Sequence, residues 1–191
     1  LNPTPPILQR LRRETHAQHE AVEANRFNQA LAAGTVEAAD AAWFLSKLFG
    51  FVLPLEEGIN RLGPALDPAW ELFSRRRAYL IPLDLQDLLG RSALPLPLCP
   101  VLPPLATPTQ ALGVLYVLEG STLGGQVIAR QLEKVGLGAA RRYFTAYGAL
   151  TGPRWQATCR LLAAAATPEN EDELVASAVR TFHDLAVWLG E

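Results

Sequence analysis

Two of the chain's three histidines stand together in the run His16-Ala17-Gln18-His19. A neutral imidazole ligates metals or carries protons. The zinc-hydrolase pattern needs a four-residue histidine spacing with Glu beside the first, and that is missing. Cysteines at structural-zinc spacing are missing too. His19 has Glu23 one helical turn onward, where a carboxylate would fix the tautomer of a ligating imidazole. Arg12 lies two turns back on the same face, about 10 Å away along a helix axis. A flat ligand with a metal at its centre and acid groups on one rim would suit that pair.

The second chemical feature is Glu119-Gly120-Ser121-Thr122-Leu123-Gly124-Gly125-Gln126, a stretch inside an otherwise amphipathic helical pattern. Each interior glycine costs a helix about 0.8–1 kcal/mol relative to Ala. Three cost roughly 3 kcal/mol in a fold worth roughly 5–15 kcal/mol. Gly120 and Gly124 are one turn apart and share a face. Either a second helix or a flat ligand can approach bare backbone there. Three glycines with Ser and Thr between them loosen the helix more than packing requires, which favours a ligand or a hinge.

The elements that hold these groups read as helices throughout. A first helix starts at Pro5-Pro6, with Thr4 as candidate cap, and aligns Ile7, Leu8, Leu11, Thr15, His19 and Val22. A short one covers Phe27 to Ala33 and ends at Gly34. Thr35 can cap a long helix whose buried stripe is Val36, Trp43, Phe44, Leu48, Phe51, Val52, Leu55 and Ile59, with Pro54 inside it. Trp70 to Leu80 reads as another helix, and Pro82 opens one ending near Gly90. Six prolines between residues 92 and 108 give an extended connection lying along the core. Thr107-Pro108-Thr109-Gln110 opens the glycine-bearing helix with a capping box. Residues 137–152 are irregular. Two helices follow, roughly Pro153 to Ala166 and Pro168 to Leu189, the last capped by Thr167. The fold class is all-α, one domain over 1–191 built of seven or eight helices.

Composition excludes several functions. Apolar residues make up 49% of the 191, enough for a sizeable core, and the net charge is −2. Generic nucleic-acid binding needs a basic field, so none is expected. The apolar stretch from Ala111 to Ala129 is interrupted by polar residues and reads as a core helix, with no membrane partner. Cys99 and Cys159 make no disulfide framework, and a reducing cytoplasm is expected. No secretory pattern opens the sequence, and the absence of Met implies that it does not begin at its own start codon. Arg75-Arg76-Arg77 is a solvated helix face or a docking patch for an acidic electron donor. Arg141-Arg142 carries the same two readings and could also attract acid groups of a ligand.

Three segments resemble the haem oxygenase family. Glu14, Thr15, His19 and Glu23 have the spacing of its proximal helix, which carries the axial histidine. Tyr116, Glu119, Gly120, Ser121, Gly124, Gly125 and Gln126 look like its distal helix, closest to the bacterial branch that accompanies bacteriophytochromes. Arg154-Trp155 to Arg160 and Phe182-His183-Asp184-Leu185 are similar to the last two helices. The likeness spans nearly the whole chain and is weakest over 60–105.

The resemblance implies haem b, as substrate and cofactor, sandwiched between the first helix and the glycine helix. His19 would ligate iron with Glu23 behind it. Gly120, Ser121 and Gly124 would form the catalytic distal surface. Arg12, Arg160 and, less securely, His16 would meet the propionates. Tyr143 and Phe144 would line the distal side and Phe182 the far wall. The implied reaction consumes molecular oxygen and yields biliverdin, carbon monoxide and ferrous iron, with cleavage at the alpha edge. A ferredoxin-like or other reductase would supply electrons, since no flavin or nicotinamide fingerprint is present. A bacteriophytochrome would be a possible bilin acceptor. Animal members carry Asp where Ser121 stands, so delivery of protons through a distal carboxylate is not expected. The alternative is a haem-binding or haem-trafficking protein of the same fold without turnover. A di-iron site has too few inward carboxylates and histidines, namely His19, Glu23, Glu119 and His183. A thiaminase-like nucleophile would have to be Cys99 or Cys159.

Overall fold

The computed structural model describes residues 4–191, and among them the chain is all helix and turn. The α-helices are α1 (Pro6–Glu14), α2 (His16–Glu23), α3 (Arg26–Ala33), α4 (Ala38–Leu62), α5 (Leu72–Arg75), α6 (Ile81–Leu89), α7 (Pro108–Lys134), α8 (Thr151–Ala165) and α9 (Glu171–Gly190). α1 and α2 are one helix interrupted at Thr15, whose buried hydroxyl donates to the Leu11 carbonyl at 2.8 Å. Such back-bonding bends helices. The His19 amide still reaches the Thr15 carbonyl at 2.9 Å, so the axis continues past the bend.

Several ends differ from the sequence-based expectation. α1 is entered through Pro5, and no side chain caps it. α4 is capped by a Glu37–Asp40 box instead of Thr35, because two carboxylates there satisfy free amides reciprocally. The expected helix from Trp70 to Leu80 is broken. Glu71 adopts φ 47°, a left-handed conformation, and leaves a 3-10 turn (Pro68–Trp70), the short α5 and another turn (Ala78–Leu80). α9 begins after Asn170, whose side chain accepts from the Thr167 amide at 2.8 Å.

α4 and α7 are long and apolar enough to cross a membrane, yet both are packed as central helices of the bundle. The core centres on Phe27, Phe44, Phe51, Leu55, Trp70, Leu115 and Leu174, with Phe27 stacked on Phe44 at 4.3 Å. The proline-rich connection lies on α4 as expected. The Cys99 amide donates to the Gly50 carbonyl at 3.0 Å, and any side chain at Gly50 would run into the Pro97 carbonyl.

Helix directions place the site. Along α7 and α9, Thr107 bonds Glu173, and Ser177 bonds the Gln110 carbonyl, each at 2.8 Å. The two helices therefore run the same way. Arg10 pairs with Glu171 at 3.2 Å, and His19 meets Phe182 further on, so α1 and α2 run that way too. α8 runs oppositely, since Gln126 bonds Thr151 and Gly120 lies by Trp155.

Gly113 permits the closest α7–α9 approach. A Cβ there would stand 2.6 Å from both the Leu174 carbonyl oxygen and the Ser177 Cβ. Gly113→Ala is expected to destabilise the chain by about 1–3 kcal/mol, the range for overpacking, despite the better helix former. The urea midpoint measures this.

Candidate functional site

The interruption at Thr15 turns His19 outward. Its side chain is 53% exposed, and Nδ1 lies 3.7 Å from Glu23 Oε1. A buried, satisfied core histidine is thereby ruled out. The Phe182 ring meets the imidazole edge-on, with centroids 5.4 Å apart at 69°, and restricts its rotation. With Nδ1 turned to a carboxylate, Nε2 is the nitrogen left for a ligand. His16 faces Glu20 at 3.5 Å on the outer surface, away from this arrangement.

The same register sets the height of the imidazole. Residues of α7 meet residues of α9 about 61–67 positions later, as Thr107 meets Glu173 and Gly113 meets Leu174 and Ser177. Phe182, and with it His19, therefore comes level with the turn of α7 between Tyr116 and Gly120. Independent contacts agree. The Tyr116 phenol lies against Thr15 and within the field of Arg12 and Cys159, and burial raises its pKa above the usual phenol range. The base of the histidine helix thus touches the distal helix one turn ahead of the glycines.

α7 changes character at that point. From Ala111 to Glu119 it is buried apart from the half-buried Tyr116, whereas Ser121, Leu123, Gly124 and Val127 are exposed. The three glycines have different surroundings. Gly124 faces open space. Gly120 has the Trp155 indole against it, its Cη2 and Cζ3 atoms 3.5 Å from where a Cβ would be. Gly125 is a packing residue, its would-be Cβ 3.1 Å from the Phe144 carbonyl oxygen. The Ser121 hydroxyl donates to the Leu118 carbonyl at 2.7 Å, so it can only accept from a further partner.

Exposed Arg12 and Arg160 stand at the base of this surface, Arg12 beside Tyr116 and Arg160 next to Cys159. Among the described residues neither forms a salt bridge, and both are available to acidic groups. Arg141 and Arg142 are committed elsewhere. Arg141 pairs with Glu133, and Arg142 pairs with Asp87 and with the buried Asp84. Asp84 also takes the Arg142 and Tyr143 amides at 3.0 and 2.9 Å, and burial raises its pKa. Tyr143 and Phe144 are held in the interior beneath α7: Tyr143 under Arg77, and Phe144 stacked on Phe44 at 6.3 Å.

The arginine triplet corrects a sequence-based reading. Arg76 is exposed, but Arg75 and Arg77 are buried, so the three are neither a solvated face nor a docking patch. The broken 70–80 segment turns two guanidinium groups inward onto consecutive residues of α7. Arg75 Nη1 meets Glu119 Oε2 at 2.5 Å and Thr158 Oγ1 at 2.9 Å. Arg77 Nη2 donates to the Leu118 carbonyl at 2.7 Å, and its backbone amide donates to Glu56 at 2.7 Å. Burial raises the Glu56 pKa. Tyr147 donates to Glu119 Oε1 at 2.8 Å, and burial raises its pKa well above the usual phenol range. Among the described residues the Arg77 Nε has no partner, and Arg77 lines a cavity of about 20 Å³, room for one water. Sequence reasoning missed this network because charged residues in a row ordinarily lie in water. The one signal was Glu119, a carboxylate within an apolar helix stripe.

Other candidate chemistries find no geometry. No cluster of three metal-ligating side chains occurs among the described residues. Cys99 is buried and donates to the Val101 carbonyl at 3.0 Å, and burial raises the pKa of both thiols. A cavity of about 320 Å³ lies at the far end of α7, bordered by Pro108, Leu112 and Leu161, and none of His19, Gly120, Gly124, Arg12 and Arg160 lines it.

No protein-family model matches the chain. It is 37% identical over 122 residues to a haem oxygenase of Xanthomonas campestris pv. campestris (strain 8004), covering 61% of this chain and 68% of that protein. Its fold is similar to that of the haem oxygenase from Leptospira interrogans, with a TM-score of 0.73, 17% identity, and coverage of 96% of this chain and 98% of that one. The second likeness concerns the fold; the first, in which more than two thirds of the relative is covered, reaches the sequence itself. The chain belongs to the haem oxygenase family.

Proposed function

We propose that this chain binds haem b between α2 and the exposed half of α7 and cleaves it oxidatively to biliverdin, carbon monoxide and ferrous iron. The observation that carries the reading is an exposed imidazole, steadied by Phe182 and Glu23, at the height where α7 stops being buried. The residues fit the group. A single neutral imidazole donor, open backbone at Gly124, exposed Leu123 and Val127, and two unpaired guanidiniums match a flat apolar ring with a central metal and acidic edge groups.

Bound haem supplies the iron that holds oxygen and is also the ring to be cut. The chain's own residues orient and shield. His19 is a neutral nitrogen donor, which lacks the strong electron push of a thiolate. Glu23, 3.7 Å from Nδ1, favours by its charge the tautomer with the proton on that nitrogen, and Phe182 limits the rotation of the ring. Arg12 and Arg160 take the acid groups and so limit in-plane rotation, in favour of the alpha edge. Bare backbone at Gly124, with the Trp155 edge against Gly120, would set how closely the ring can approach α7. Ser121 accepts from a water and thereby orients it, since its own proton is engaged with Leu118. Electrons come from an external ferredoxin-like or other reductase, the chain works in the cytoplasm, and its product supplies a bilin to a bacteriophytochrome.

The test is addition of haem, then ascorbate or a reductase in air. Decay of the Soret band with growth of a biliverdin band and release of carbon monoxide is the expected result. Haem that stays intact under those conditions overturns the enzyme reading. The engaged Ser121 hydroxyl favours the second reading, a haem carrier without turnover, which the same experiment separates.

Gly124→Leu gives a split outcome. A side chain there meets no protein atom within 4 Å, so stability before haem is added should rise by about 0.5–1 kcal/mol from helix propensity. Haem titration should show affinity reduced at least about tenfold, because the side chain fills the ligand's space.

A further inference from the structure

We propose that Trp155 decides which part of the distal helix the haem meets, and hence which ring edge is cut; this rests on the haem reading above. Gly120 and Gly124 share a face of α7, and both would present bare backbone. Only Gly124 does. Over Gly120 lies the six-membered ring of the Trp155 indole, in ordinary van der Waals contact with the position of a Cβ. Tyr116 holds that indole from the other side, with ring centroids 5.8 Å apart at 50°.

The indole is not there by loose packing. α8 is pinned to α7 on either side of it, by the Gln126–Thr151 bond at 3.1 Å and by Arg75, which bridges Glu119 and Thr158. The next residue back, Arg154, is fixed as well, donating to the Ser74 carbonyl at 2.9 Å and lying over Tyr147. Among the described residues the indole N–H has no protein partner, and the side chain is half-buried, with its outer edge, Cη2 and Cζ3, turned to Gly120. It forms a rigid wall at the start of the glycine stretch. A planar ligand held by His19 meets that wall with one edge and extends from it over Gly124, beside Leu123 and Val127. Arg12 and Arg160 stand at the Tyr116 end, next to the wall, so they hold the acidic rim that meets it, and wall and clamps together leave one rotation of the ring.

The experiment compares Trp155→Ala, which removes the wall, and Trp155→Phe, which withdraws the outer ring atoms but keeps the Tyr116 contact. Each is loaded with ferric haem. Soret circular dichroism and the haem-methyl proton spectrum report seating, independently of turnover, and chromatography of the bilins reports the edge. The expected result for Trp155→Ala is a second seated form and a second biliverdin isomer, with the minor-to-major ratio up about threefold to tenfold, the worth of one aromatic contact. Trp155→Phe should lie between that and the unaltered chain. A single unchanged seating and one isomer in either folded variant overturns the assignment while leaving the haem reading intact. Failure of the unaltered chain to bind haem overturns both.

Discussion

His19→Ala is expected to abolish the histidine-haem spectrum and all turnover while leaving the fold in place. Losing a partner of a metal ligand typically costs about 10–100-fold in affinity or activity. Losing the ligating imidazole itself should exceed that range. The fold should hardly notice, because the ring is more than half exposed and its one tight neighbour is the Phe182 edge. Urea unfolding before haem is added should shift by no more than about 1 kcal/mol. Free imidazole added to the loaded variant should restore a nitrogen-ligated spectrum by occupying the vacated side-chain volume. An unchanged Soret band and full turnover would move the ligand to another residue.

The largest effect on stability is expected behind α7. Glu119 and Arg75 are 2% and 6% exposed. Glu119→Leu leaves the guanidinium buried without its counter-charge, and such breaks cost about 3–5 kcal/mol. That is a large fraction of a typical domain's stability. Arg75→Met with Glu119→Leu removes both charges and should recover most of the loss, with about 1 kcal/mol outstanding for the partners of Thr158 and Tyr147. Chemical denaturation of the two single variants and the double variant gives the coupling directly. Equal instability of the single and double variants would mean that the pair contributes through packing alone.

The sequence was most legible where periodicity and capping agree. The α7 limits followed from Thr107, Pro108 and the apolar stripe, and Thr107 Oγ1 does accept from the Gln110 amide, at 3.1 Å. α3 and α6 ended at Gly34 and Gly90 because both residues adopt the left-handed conformation that glycine tolerates. Reading failed between 70 and 80, where a regular-looking stripe is broken by the non-glycine Glu71 at positive φ. The reason is tertiary: the break lets Arg75 and Arg77 reach α7, and no local pattern encodes that need. At the site, Glu14, His19 and Glu23 face outward and Thr15 is buried, but Phe182 buttressing the imidazole and Trp155 against Gly120 depend on helices more than 30 positions away in sequence. Spacing within one helix cannot reveal either. Tyr143 and Phe144 illustrate the converse. The family resemblance implied that they line the ligand, whereas Asp84 binds the Tyr143 amide, and both rings are buried in the interior.

The seat of the proline-rich connection on Gly50 bears on how the molecule can be re-engineered. By composition, residues 92–106 invite use as a spacer, the obvious place to open the chain for circular permutation or to graft a reporter. The Cys99 amide and the Pro97 carbonyl instead lie directly on α4, so this stretch behaves as a strap across the bundle. Grafts there would prise a central helix from its covering, and the exposed turn at residues 167–169 is the better opening.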